Sequence, residues 1–175
     1  RTTNIPSAAR ADEPNWLTAA RAAAAERVHI QGAPTSKSEG WRYTGLRALL
    51  EQGFLPVSEP RVGEPMTALL PEDLDEQLLS GLDAHRLVIV NGRLAPQLSD
   101  LDGLPAGLRI AGLQATLAED PDAVGDLTRI AGEGAHVFAS LNTAGMDDGM
   151  VLLAERGVLV EKPVELLHLS VGMDE

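Results

Sequence analysis

The run Met150-Val151-Leu152-Leu153, then Gly157-Val158-Leu159-Val160, then Val164-Glu165-Leu166-Leu167-His168-Leu169-Ser170-Val171 decides the fold. Its apolar, largely aliphatic segments are short and are divided by Glu-Arg-Gly and Glu-Lys-Pro, which reads as strands and turns rather than helix. Short strands at such close spacing suit a sandwich, a barrel or a β-solenoid. One coil cannot establish a repeat, and the chain holds no second copy of it. The last run stops with no closing element, so the strand is expected to continue past Glu175, since an apolar strand left as a bare edge invites aggregation. Residue 1 is Arg rather than Met, so the start is expected to be trimmed, processed or left out.

Upstream of this run, Leu141 and Ala144 mark a short helix that leads into a turn at Asp147-Asp148-Gly149. Ala123, Leu127 and Ile130 have helical spacing and end at Gly132 and Gly134. Leu108 to Leu113 reads as a strand. The sequence Leu87-Val88-Ile89-Val90-Asn91-Gly92-Arg93-Leu94 predicts a β-hairpin, because Asn-Gly accepts the positive φ angles of a tight two-residue turn.

The N-terminal half reads as helical. Leu74, Leu78 and Leu82 predict a helix over 71–82, and the four prolines of 54–71 make residues 54–70 a loop or linker. Thr44 can cap a helix with Leu46, Leu49 and Leu50 inward and Gly53 at its end. Ser36 and Glu39 have capping-box spacing before a short helical stretch through Trp41. Asp12 and Pro14 begin an Ala-rich helix running to about Val28, with Trp16, Ala20 and Ala24 on one side and Gly32 and Pro34 as its stop. Residues 1–11 are small and polar and read as a flexible arm.

Composition narrows the function. The 175 residues are 44% hydrophobic, enough to bury a core, and carry a net charge of −12. That charge argues against nucleic acid and against an anionic membrane surface, both of which need concentrated Lys and Arg. There are no cysteines, so no thiolate metal or cluster ligand can come from this stretch. No apolar run approaches the roughly 20 residues that span a bilayer, and the start lacks the apolar core of a signal peptide. A soluble, cytoplasmic protein is expected.

The chemistry-bearing motifs are weak. Gly132-Glu133-Gly134 follows a helix rather than a strand and lacks a third glycine, and there is no Gly-Lys-Ser/Thr. His29, His85, His136 and His168 have no ligand spacing. Asp100 and Asp102 before Gly103 lack the other ligands of a calcium loop and fit turn chemistry. Asp147 and Asp148 beside Gly149 fit a turn better than an acid/base pair. No catalytic, cofactor-binding or metal residues are assigned, and the chain is read as a non-enzyme.

The richest segment is Pro34-Thr35-Ser36-Lys37-Ser38-Glu39-Gly40-Trp41-Arg42-Tyr43-Thr44. Within it Pro34, Lys37, Glu39, Trp41, Arg42, Tyr43 and Thr44 form the candidate site. Trp and Tyr bury large area and keep one polar handle, which suits either a clamp within the chain or an anchor at an interface. Both readings stand at this point.

The pattern Pro-Thr-x-Lys-x-Glu-x-Trp-Arg-Tyr-Thr closely resembles the N-terminal signature of the SufD branch of the SufB/SufD family. The hairpin Arg86–Arg93 with Leu98-Ser99 is similar to the strand pair that follows it in the family. Phe138–Ala144 with Asp148-Gly149, then Gly157–Val164 and Leu166-Leu167-His168, resembles the passage where the family enters its β-helix. The resemblance implies an α+β chain, with a helical and mixed region over 1–136 leading into the first coil or coils of a right-handed parallel β-helix over 137–175. It implies a scaffold for iron–sulfur cluster assembly that pairs with SufB and the ATPase SufC. The cluster is then expected only at the interface of the full complex, and not on this stretch. A β-solenoid enzyme, either an acyltransferase or a sugar-acting lyase, is the rival reading. It would need a hexapeptide repeat, or a basic residue beside clustered carboxylates. A generic protein-interaction domain is the third.

Overall fold

In the computed structural model the residues described are 13–35, 37–46, 51, 71–130 and 136–171. The arm at 1–11 and the linker at 54–70 lie outside them. The chain divides into two compact units, 1–56 with 117–147, and 57–116 with 148–175. The stretch 137–175 therefore contributes to both.

The first unit is built on helix α1, Asn15–Gln31. Pro14 starts it: its carbonyl accepts from Leu17 N and Thr18 N, and as a proline it forfeits no helical donor there. Gly32 ends it at φ 63°, its N–H donating to the Val28 carbonyl. The buried stripe is Leu17, Arg21, Ala24 and Val28. That is one residue round from the expected Trp16, Ala20 and Ala24, because a buried arginine occupies the seam.

α1 packs on a helix at Val137–Gly145, which buries Val137, Ser140, Thr143 and Ala144. The seam is lined on the Val137–Gly145 helix mainly by small side chains, Ser140, Thr143 and Ala144, and on α1 by Leu17, Arg21 and Val28 with Ala24 among them. The expected Ala123–Ile130 helix is instead a 3-10 turn, Pro121–Val124, and a separate short helix, Leu127–Ile130. Asp120 caps the 3-10 turn, accepting from Ala123 N, and the chain leaves the turn at Gly125. In chain order these helices are α3 (Leu127–Ile130) and α4 (Val137–Gly145), after α2 (Leu113–Glu119).

The second unit is built on strands. β1, His85–Val90, and β2, Arg93–Leu94, form the predicted hairpin, with Ile89 opposite Leu94 and Val90 opposite Arg93. Asn91 and Gly92 have φ 49° and 84°, the paired positive angles of a type I′ turn. β2 is short, and Ser99 fills the ladder beyond it: its hydroxyl accepts from Val88 N and donates to the Ala95 carbonyl. Five of the six β1 residues are buried, on both faces, as expected of a central strand.

The other edge of β1 pairs in parallel with β5, Val164–Leu169, in register from His85 opposite Val164 to Val90 opposite Leu169. Arg86 and its neighbour Glu165 form an ion pair of 3.2 Å, and Glu165 also accepts from Leu79 N. Leu74, Val88, Val90, Ala95 and Leu98 make the core, with Leu167, Leu169 and Val171 packed against it.

A second sheet pairs β3, Leu108–Gly112, antiparallel with β4, Met150–Ala154. Gly107 is required where β3 begins. It has φ 85°, and an added Cβ would lie 2.7 Å from a Val158 methyl.

Two sequence expectations fail here. The helix predicted over 71–82 is only a 3-10 turn, Pro71–Leu74, followed by turns. Four carboxylates, Glu72, Asp73, Asp75 and Glu76, would repel at i, i+3 and i, i+4 in a helix, and Gly81 takes φ 75°. Gly157–Val160 is not a strand: Gly157 turns the chain at φ 86°, and Leu159 is 73% exposed. Among the described residues the strand pairs are the hairpin, the parallel crossover and the β3–β4 pair, with no stacked coil.

Candidate functional site

The turn carrying the candidate residues is braced from within. Backbone bonds run from Ser38 N to the Thr35 carbonyl, Trp41 N to Ser38, Arg42 N to Glu39, and Thr44 N to Trp41. Two side chains add to them: the Ser38 hydroxyl accepts from Thr35 N, and the Thr35 hydroxyl accepts from Lys37 N. The expected capping box rests on Ser36, which lies outside the described residues. Glu39–Trp41 is a single 3-10 turn. Thr44, Gly45 and Leu46 are not helical, and the remainder of the helix expected there falls on 47–53, of which only Glu51 is described.

The two aromatics of the turn have different surroundings. The Trp41 ring lies 5.0 Å from the Phe138 ring and 5.9 Å, edge-on, from the His136 imidazole. Phe138 and His136 are themselves 6.4 Å apart, so three rings cluster where α4 begins. Tyr43 is 92% exposed, and its ring carries the Arg42 guanidinium 5.7 Å from its centroid. Lys37, Glu39 and Thr44 are exposed and Pro34 is half-buried. The turn thus joins a ring fixed to the body of the unit with a ring turned to solvent.

Sequence reasoning missed the base of this cluster. The sequence offers Phe138 only within the Phe138–Ala144 passage of the family resemblance, and His136 as one of four histidines without ligand spacing. No local signal links them to Trp41, almost a hundred residues earlier in the chain. It also missed the buried ion pair of Glu13 and Arg21 and the role of Asp148, whose carboxylate accepts from Gln114 N at the first turn of α2.

The remaining candidates sit in structural roles. Asp102 N donates to the Asp100 carboxylate, closing a turn. His85 is buried in β1 opposite Val164, His168 is exposed on β5 opposite Ile89, and His29 lies in the last turn of α1. A cavity of about 200 Å³ lies beside β1, with Leu78, Arg86, Asp75 and Asp100 among its walls. Arg86 is occupied there by Glu165 and by the Leu82 carbonyl. Among the described residues no three His, Asp or Glu side chains gather as a metal set, and no helix is long and apolar enough to cross a membrane.

With the turn and the hairpin in place, the family can be read. The family described as the SufBD protein N-terminal region matches residues 6–166, nearly the whole chain. The chain belongs to the SufBD family. Over 142 residues it is 30% identical to the iron–sulfur cluster assembly protein SufD of Escherichia coli, which covers 81% of this chain and 29% of that protein. Over 163 residues it is 28% identical to an iron–sulfur cluster assembly SufBD family protein of Synechocystis, covering 91% of this chain and 34% of that protein. The chain spans about a third of the length of these relatives, and the SufBD match takes in both the Trp41 turn and the β1–β2 hairpin.

Proposed function

We propose that this SufBD chain works in iron–sulfur cluster assembly as part of a non-enzymatic scaffold in the cytoplasm, pairing with SufB and SufC. The observation that carries the reading is the family match over 6–166, together with two relatives named for iron–sulfur cluster assembly. The architecture supports a scaffold in which a parallel sheet grows by stacking. β5 pairs in parallel with β1, and among the described residues its far edge carries no strand. Its outward face continues that invitation: Leu166 is 47% exposed beside the fully buried Leu87 of β1. A further strand laid on β5 in the same direction would extend the ladder and cover Leu166, as the first coil of a right-handed parallel β-helix does. In this reading the chain contributes shape and contacts, and the cluster forms at the interface of the assembled complex.

Co-expression of the full reading frame that contains this chain with SufB and SufC tests the proposal. The three proteins co-purify if the scaffold reading holds. A product that purifies alone, and does not alter cluster formation by SufB and SufC, overturns it.

A further inference from the structure

Charge is unevenly placed along the chain. Between Glu26 and Glu51 there are four cationic side chains, Arg27, Lys37, Arg42 and Arg47, against the single acid Glu39, whereas the whole chain carries a net charge of −12. The candidate turn lies inside this basic stretch. Lys37 and Arg42 are both exposed on it, and among the described residues neither has an ion-pair partner. Arg42 rests against the Tyr43 ring, so its planar fork is already oriented, and Tyr43 itself is almost wholly in solvent. Beneath them the turn is held by its own hydrogen bonds and by Trp41 on Phe138.

We infer that Arg42 and Tyr43, with Lys37 beside them, form a docking ledge for an acidic segment of a partner protein. A guanidinium matches a carboxylate with two parallel N–H···O bonds, which an ammonium cannot do. A neighbouring exposed tyrosine supplies the apolar contact that turns charge attraction into a defined pose, and Arg and Tyr are the residue types that carry interface energy. The backbone under the ledge is already tied by the turn's own hydrogen bonds, so docking orders mainly side chains. The acidity of the rest of the chain repels polyanions in general and confines an acidic peptide to the basic stretch. The same acidity disfavours a nucleic acid, whose long phosphate run would meet the net negative charge of the chain. The inference stands on the turn alone and does not depend on the scaffold reading.

The probe is fluorescein-labelled poly-L-glutamate, followed by anisotropy with the full chain. Saturable binding is expected, weakened about tenfold by Arg42→Glu and by Tyr43→Ala. Lys37→Glu gives a smaller loss, and Arg156→Glu, an exposed cation in the second unit, leaves binding unchanged. All four side chains are exposed, and far-UV circular dichroism checks that each variant folds. Absence of saturable binding overturns the inference. So does equal binding by the Arg42 and Tyr43 variants, or equal weakening by Arg156→Glu. Tighter, Arg42-dependent binding of an oligothymidylate of the same charge overturns it in favour of nucleic acid.

Discussion

Asn91 and Val171, eighty residues apart, hold each other through two hydrogen bonds: the Asn91 amide nitrogen donates to the Val171 carbonyl at 3.1 Å, and Val171 N donates to the Asn91 amide oxygen at 2.9 Å. Asn91 N also donates to the Leu169 carbonyl. The residue that makes the hairpin turn therefore fastens the end of β5 to the end of β1. Asp at this position accepts the turn geometry but has no donor, and its carboxylate would face the Val171 carbonyl. Asn91→Asp is expected to cost about 2 kcal/mol, and Asn91→Gly, which loses both bonds without repulsion, about 1 kcal/mol. Urea denaturation at constant slope measures the difference. Unchanged stability in both variants would show that the clasp carries no energy.

Glu13 and Arg21 form an ion pair that is nearly dry, with side chains 3% and 6% exposed. Arg21 Nε donates to both carboxylate oxygens at 2.9 and 3.0 Å. Nη2 lies 2.8 Å from Oε1 but makes no well-aligned hydrogen bond there, and Nη1 donates to the Ala144 carbonyl at the end of α4. Removing one partner strands a buried charge, so Glu13→Gln is expected to cost about 3 kcal/mol. The double variant Glu13→Leu with Arg21→Met fills the same space without charge, and its stability should return to near that of the parent. A double variant as unstable as the single one would show that the pair acts through packing.

Asp148 is the first residue of the chain's return to the second unit, and its carboxylate accepts from Gln114 N at 3.1 Å while Leu113 N donates to the Gly149 carbonyl. These two bonds satisfy the first free amides of α2 from a segment over thirty residues away. Asp148→Ala is expected to cost about 1 kcal/mol and Asp148→Asn only a few tenths, since the amide oxygen still accepts. Hydrogen exchange at the Gln114 amide reads the change directly; unchanged protection in the alanine variant would remove Asp148 from the cap.

What could be read in the sequence was what local chemistry determines. Asn91-Gly92 specified the hairpin because the turn needs positive φ at two adjacent residues, and Gly32 marked the end of α1 for the same kind of reason. The strands at Met150 and Val164 were legible from their aliphatic content, though Gly157–Val160, of similar content, is not a strand and begins where Gly157 turns the chain at positive φ. The buried face of α1 was misjudged because an arginine reads as solvent-facing until its partners, Glu13 and the Ala144 carbonyl, are known. The parallel pairing of β1 with β5 and the seating of Trp41 on Phe138 join distant segments, and no local pattern encodes them. At the candidate turn the sequence leaves clamp and anchor as alternatives, and gives no signal that Trp41 packs on Phe138 while Tyr43 faces solvent.

Asp126 and Arg129 form a surface pair, 2.9 Å, one turn apart. The hydrogen bond from Arg129, and then its charge, hold the Asp126 carboxyl below the usual carboxylate range. A depressed folded value means the contribution of the pair is present above the unfolded carboxylate pKa and is lost as pH falls through the folded one. Both side chains are in solvent, so thermal stability should scarcely change. An NMR titration of the Asp126 carboxyl should show its midpoint rise toward the ordinary value in Arg129→Ala and in high salt. A midpoint indifferent to both would mean the pair does not persist in solution.

Trp41 and Tyr43, two residues apart, should respond to truncation in opposite ways. Trp41 is half-buried against Phe138 and His136, so Trp41→Ala removes the ring contacts that tie the turn to the start of α4. A loss of about 2 kcal/mol is expected, with a weaker near-ultraviolet signal from the ordered rings. Tyr43 touches little besides Arg42, so Tyr43→Ala should change stability by no more than about 0.5 kcal/mol while weakening acidic-peptide binding. Trp41→Phe keeps a ring on Phe138 and should recover most of the loss. The reverse pattern, a stable Trp41→Ala and an unstable Tyr43→Ala, would mean that the solvent-facing ring is the one holding the turn in place.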